Sequence, residues 1–190
     1  MRPYYFERAL FVVGESNAGK SVQLRSMFRD IRFGTNGKVP TARNLTELYK
    51  LSNERSLYLR LTSPHEKHET IGRKHADVAE ADFLRKTDKK MAGNTPSYGR
   101  RWNFAGALQP YESNYMPDVE RTCRAFVAYF RPERTRVVFL SPDQYGNVLQ
   151  KDHVSLVDRL RAIPSVELVW IDARERTMNG LLLADFFDFA

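Results

Sequence analysis

Hydrophobic residues along this chain gather into short apolar runs rich in β-branched and aromatic side chains, with stretches of helical periodicity between them. Alternation of that kind predicts strands interleaved with helices. Strands are expected at residues 9–13, 56–61, 102–108, 136–140 and 166–171. Helices are expected at 20 to about 29, at 44–51, within 65–90, at 118–130 and at 148–162, with a last one closing the chain. The runs Val137-Val138-Phe139-Leu140 and Leu168-Val169-Trp170-Ile171 offer no polar face, the pattern of strands covered on both sides. The expected fold is a three-layer α/β/α sandwich around a mainly parallel five-stranded sheet.

No internal repeat and no Pro/Gly-rich linker divides the chain, so residues 1–190 read as a single domain. Two segments interrupt the pattern. Residues 33–43 carry Asn36-Gly37, a tight-turn signal, and read as a small hairpin or an exposed excursion. Residues 87–101 are basic and contain glycine, and read as a loop able to serve as a mobile lid.

Composition narrows the class. With 42% hydrophobic and 28% charged residues the chain matches a globular protein that folds on its own. Lys and Arg outnumber Asp and Glu by 30 to 23, and the resulting charge of +7 favours polyanions such as nucleotides, nucleic acid or acidic lipid. Cys123 is the single cysteine, which excludes an intrachain disulfide and a cysteine-built metal cluster and fits a reducing cytoplasm. The N-terminus lacks the longer apolar stretch of a secretory signal, and no apolar run reaches membrane-spanning length. The expectation is a cytoplasmic chain without a membrane.

The strongest chemistry lies in Gly14, Glu15, Ser16, Asn17, Ala18, Gly19, Lys20 and Ser21, which fit GxxxxGK(S/T) between an apolar strand and an amphipathic helix that continues with Val22. Glycines let the backbone curl so that successive N–H groups face phosphates, and the helix turns the positive end of its dipole toward them. Lys20 would hold the β- and γ-phosphates, and Ser21 would give its hydroxyl to Mg²⁺. At these residues the chain resembles the P-loop NTPase superfamily, and the resemblance implies ATP or GTP bound with Mg²⁺. The Asn17-Ala18-Gly19-Lys20-Ser21 form is similar to the phosphate loop of small GTPases related to translation factors. The NKxD signature for guanine is missing, and the one plausible DxxG, residues 143–146, follows the fourth expected strand.

Ligands of an open parallel sheet gather at the carboxyl ends of its strands, which selects residues 63–66, 109–112, 141–144 and 172–174. Arg131, Arg134 and Arg136 precede a strand and are expected on the opposite edge as a solvated basic patch or a partner contact. Asp143 is the leading candidate for a Walker B carboxylate serving the metal, ahead of Asp172, and the alternative for either aspartate is a place in a turn or helix cap. The strand at 102–108 ends in Gln109 rather than an acid, so Gln109 would position water or substrate, or satisfy loop backbone. Glu66 and Glu112 are alternative bases. Arg174 and Arg176 follow the last strand, where an arginine would contact nucleotide, neutralise charge on a transferred phosphoryl group, or remain on the surface.

His65, Glu66, His68 and Glu69 with His75 invite a metal reading, but HExH is not the HExxH zinc pattern and an exposed polar helix face is expected. The basic stretch from Lys86 to Arg101, with Tyr98 and Trp102, suggests a solvated loop, a substrate lid, or a weak nucleic-acid surface. Residues 181–189 are apolar enough to pack as a final helix or to seal an interface with a protein partner or a second copy. Three functions fit: an NTP hydrolase coupling nucleotide state to a partner, with Lys20 and Asp143 as catalytic residues; a small-molecule or nucleotide kinase; and a nucleotide-binding regulatory module.

Overall fold

The structure, a computed structural model, describes residues 3–41, 47–66, 75–149 and 153–189. One sheet holds β1 (Tyr5–Val13), β2 (Leu48–Lys50), β3 (Arg55–Arg60), β4 (Arg101–Leu108), β5 (Arg134–Leu140) and β6 (Val166–Ile171) in the order β2-β3-β4-β1-β5-β6. All neighbouring pairs are parallel except β2 on β3. The helices are α1 (Lys20–Ser26), α2 (Ala76–Tyr98), α3 (Val119–Phe130), α4 (His153–Arg161) and α5 (Arg176–Ala184).

β1 sits in the middle, and its alternating side chains feed two cores. Ala9, Phe11 and Val13 pack with Phe83 of α2, Phe126 of α3 and Leu156 of α4. Leu10 and Val12 pack with Leu24 of α1 and Leu183 of α5 on the other face. The molecule is therefore α/β, with helices flanking a mostly parallel sheet, as the apolar runs indicate.

Among the described residues the sheet has six strands rather than the five expected. β2 occupies part of the segment expected as a helix at 44–51, of which residues 42–46 lie outside the described residues. A strand of three residues at a sheet edge leaves little alternation to read. β1 also starts four residues before its expected position, because buried Glu7 is paired. Arg101 Nη2 lies 2.6 Å and Arg55 Nε 3.2 Å from its carboxylate. The ladder to β4 accommodates Glu7 by a shift in register between Phe6 and Arg8. β5 gains Arg134 and Thr135 at its start, with Arg134 and Arg136 both bonded to Glu167 of β6. Those arginines stand at the amino end of the parallel strands, away from the Gly14–Ser21 loop.

The expected lid at 87–101 is corrected: residues 87–98 continue α2, and β4 begins at Arg101. Phe83, Thr87, Met91 and Thr95 are buried at four-residue spacing along that helix, a stripe that outweighs Gly93 and Pro96. Pro96 falls in the last turn, where α2 stops at Gly99. A Cβ on Gly99 would lie 2.8 Å from the Glu54 carbonyl oxygen, so the close approach of two backbones requires glycine. Trp102 is fully buried and donates its indole N–H to Thr95 at 3.1 Å, which removes it as a stacking surface.

Phe33 is buried, and residues 34–40 form a surface turn rather than a hairpin. Asn36 and Gly37 both have positive φ, and Lys38 N–H closes on the Thr35 carbonyl at 3.0 Å. At the C-terminus Leu183, Ala184, Phe186 and Phe187 are buried against the α1 side of the sheet, so this segment packs as core. Among the described residues no helix is long and apolar enough to cross a membrane.

Candidate functional site

The loop from Gly14 to Ser21 joins β1 directly to α1, and both ends are fixed. Gly14 N–H donates to the Leu108 carbonyl at the end of β4, and Ala18 N–H to Glu15 at 3.2 Å. Asn17 stands at φ +61° and Gly19, the residue preceding α1, at φ +99°. These left-handed positions turn the chain sharply into the helix. A Cβ on Gly14 would meet the Ala18 Cβ at 2.8 Å, which explains glycine at the start of the loop.

The helix mouth is left open by this sequence. Gly19 offers no side chain, and no side-chain hydrogen bond caps α1. The Gln23 N–H bonds the Gly19 carbonyl at 3.0 Å, so the amides of Gly19, Lys20, Ser21 and Val22 are the four ahead of the helical ladder. Lys20 is buried, and its ammonium reaches back to donate to the carbonyls of Gly14 at 2.9 Å and Glu15 at 2.5 Å. Burial lowers its pKa to about 8 against the opposing pull of Glu66 and Glu15.

Two recesses flank the loop. One, of about 170 Å³, is lined by Asn17, Gly19, Lys20, Ser21 and Val22 together with Leu61, Glu66 and Gln144. The other, of about 330 Å³, lies beside Glu15 and Ala18 and is walled by Leu140, Asp143 and residues 147–149. The carboxyl ends of β1, β3 and β5 thus meet here, as the sheet topology requires.

Asp143 closes its own turn. Its carboxylate accepts from the amides of Tyr145 at 2.8 Å and Asn147 at 2.9 Å and from the Asn147 side chain at 3.0 Å. Desolvation raises its pKa, but these bonds prevail and hold it below the usual carboxylate range. Asp143 lines the larger recess, whereas Glu66 lines the smaller one with Lys20 and Ser21. The sequence signal for Glu66 was its place just after β3; nothing in the motif itself points to it.

Asp172 and Arg174 are bound to each other, with guanidinium-to-carboxylate distances of 2.6 to 3.1 Å. The Arg174 side chain is exposed and lies beside Gly146 of the Asp143 turn. Arg176 is exposed at the start of α5, and Glu112 is exposed in the segment after β4.

The expectation of an exposed helical face for the histidine cluster fails at His65, which is fully buried. Its Nε2 lies 2.7 Å from the Pro117 carbonyl, while Nδ1 accepts from the Gln109 amide at 3.4 Å and approaches Ser63 Oγ at 3.1 Å. His65 therefore ties the ends of β3 and β4 to the segment before α3, and Gln109 contributes its backbone to that tie. Burial first, then the nearby Lys20 charge, depress its pKa to about 4 against the Pro117 bond, which favours the cation. His68 and Glu69 lie outside the described residues, and His75 precedes α2.

Searches against protein-family models, curated proteins and solved structures found no match to this chain.

Proposed function

We propose that this chain is a P-loop NTPase that binds ATP or GTP with Mg²⁺ at Gly14–Ser21 and cleaves the γ-phosphate. The observation that carries this reading is the pairing of an uncapped helix mouth with a buried lysine on a single loop. The helix-start amides ahead of the ladder and the Lys20 ammonium on the same loop are the donor types that a triphosphate tail requires, and low local dielectric would strengthen each contact.

Bound Mg²⁺ would neutralise phosphate charge and polarise the bond being broken. Ser21, exposed at the second position of α1, would hold the ion through its hydroxyl. Glu66 shares that recess and is the carboxylate best located to hold the ion's water shell or to orient the attacking water. Asp143, committed to its own turn, would brace the larger recess instead. β4 ends at Leu108, Gln109 follows it, and neither supplies an acid.

The test is calorimetry with MgATP and MgGTP, followed by phosphate release, on wild type and three variants. Lys20→Ala should abolish binding. Glu66→Gln should retain binding and lower Mg²⁺-dependent turnover by roughly 100-fold or more, the range seen for loss of a positioned base. Asp143→Asn should reduce turnover far less. Absence of saturable binding to either nucleotide defeats the reading, and a turnover loss confined to Asp143→Asn moves the acid there.

A further inference from the structure

A third recess opens beside the Lys20–Ser21 recess, and its lining carries four basic side chains. Arg25 from α1, Arg60 at the end of β3, and Lys86 and Lys90 from α2 face a groove of about 460 Å³. Glu47 is the one acid among the described lining residues, and it lies 2.8 Å from Lys90. Lys86 pairs at 3.0 Å with Asp82, which does not line the groove. Among the described lining residues four cations and one carboxylate border a space within the range that small ligands fill.

The groove is built rather than a chance cluster of surface lysines. Arg60 is buried, its Nε donates to the Thr62 carbonyl at 3.2 Å, and its guanidinium lies 5.4 Å from the centre of the Phe83 ring. Arg25 Nη1 is held by the Pro40 carbonyl at 3.0 Å. The Arg25 guanidinium, fixed in this way, loses little freedom on meeting an anion.

Position gives the groove its meaning. Leu61 lines both this groove and the recess of Lys20, Ser21 and Glu66. Ser21 and Arg25 are one helical turn apart on α1, so they share a face. A molecule anchored in the groove by an anionic group would extend past Leu61 toward the end of a bound triphosphate.

We propose that this groove binds the anionic end of a small phosphoryl acceptor, a phosphorylated or carboxylated molecule that also carries a hydroxyl. The proposal rests on the nucleotide-binding reading above and names its acceptor. The acceptor's hydroxyl oxygen bonds to the γ-phosphorus as the bond from that phosphorus to the β-phosphate oxygen breaks. The nucleoside diphosphate leaves with the electron pair, and the hydroxyl proton passes to the Glu66 carboxylate and then to water. A small molecule fits better than nucleic acid, because the cations line one concavity and Trp102, the ring that the sequence offers for base stacking, is fully buried.

The experiment begins with wild-type protein and non-hydrolysable MgATP and MgGTP analogues; failure to bind either defeats the nucleotide reading itself. Nucleotide-loaded protein is then titrated with glycerol 3-phosphate, ribose 5-phosphate and 3-phosphoglycerate, with uncharged glycerol and ribose as controls. Saturable binding of phosphorylated probes but not the controls is expected. Arg25→Ala and Lys86→Glu should each weaken it at least about tenfold, the effect of losing one charge-assisted contact. With hydrolysable nucleotide, phosphorus NMR should show one new phosphate ester for each diphosphate formed. Nucleotide binding without binding of any probe overturns the groove, and probe binding without ester formation overturns the acceptor role. Salt-sensitive binding of single-stranded oligonucleotides alone, lost in the same variants, would assign the groove to nucleic acid and overturn the proposal.

Discussion

The side-chain amide of Gln144 lies 2.6 Å from the carbonyl oxygen of Asn17, and the Gln144 backbone N–H also donates to Ala18 at 3.3 Å. The segment after β5 therefore braces the loop after β1, and Gly19 gives it room: a Cβ there would stand 3.3 Å from the Gln144 side chain. Replacing Gln144 by Ala removes one hydrogen bond from a half-exposed site. Triphosphate affinity should fall by about two- to tenfold, the value of one neutral bond, while the melting temperature barely moves. Calorimetry beside a thermal melt reads both, and an unchanged affinity would show that the brace does not order the loop.

Lys20 carries a pH signature. Burial lowers its pKa to about 8, below its value in the unfolded chain, so the folded state pays for the buried charge at neutral pH and is relieved as pH rises through 8 toward 10.5. A bound polyanion favours the charged form, so above pH 8 triphosphate binding must take up a proton. Affinity should fall as pH climbs past 8, and calorimetry at pH 8.5 in buffers of different ionisation heat should reveal the uptake. No buffer dependence would mean that Lys20 does not meet the ligand.

His65 sets the opposite limit of the pH range. Its folded pKa, lowered by burial to about 4, lies below the 6.5 of the free side chain, so the unfolded chain binds the proton first on acidification. Stability should drop by roughly 3 kcal/mol in total between pH 6.5 and 4. His65→Gln should be less stable at pH 7 but show a flatter slope over that interval in urea denaturation. Parallel slopes for the two proteins would exclude His65 as the source.

Two glycines in helices should respond in opposite directions. A Cβ on Gly180 of α5 would stand 2.2 Å from the Ser26 carbonyl oxygen, so α1 and α5 touch backbone to backbone. Gly180→Ala should cost about 1–3 kcal/mol or more, the range for overpacking against atoms that cannot yield. Gly93, exposed in α2, would place its Cβ in open space. Gly93→Ala should stabilise by roughly 0.5–1 kcal/mol, through helix propensity and a less flexible unfolded chain. Denaturant midpoints of both variants against wild type decide the matter.

Much of the fold was legible because β5 and β6 carry long apolar runs and β1 an apolar core segment, and burial on two faces leaves that trace in sequence. The limits of β1 were not legible, since Glu7 reads as solvent-facing until Arg55 and Arg101 are seen beside it. The helical nature of residues 87–98 was hidden for a related reason. Gly93 and Pro96 announce a break, and only the buried line of Phe83, Thr87, Met91 and Thr95 shows why none occurs.

The candidate site divides along the same line. Residues 14–21 are contiguous and announce themselves, whereas Glu66 and Gln144 reach the loop only through the order of the strands. His65 was read as exposed because its neighbours in sequence are charged, while its neighbours in space are Pro117, Ser63 and the Gln109 amide.

The Lys20 ammonium already answers to two carbonyls of its own loop. Any newcomer has to outbid both oxygens before it gains the cation. Chloride, with one diffuse charge, is a poor competitor; a chain of phosphates, multiply charged and able to engage the helix-mouth amides simultaneously, is a strong one. On the proposed nucleotide reading, the self-contact would set a threshold that simple anions fail to meet and polyvalent ones pass.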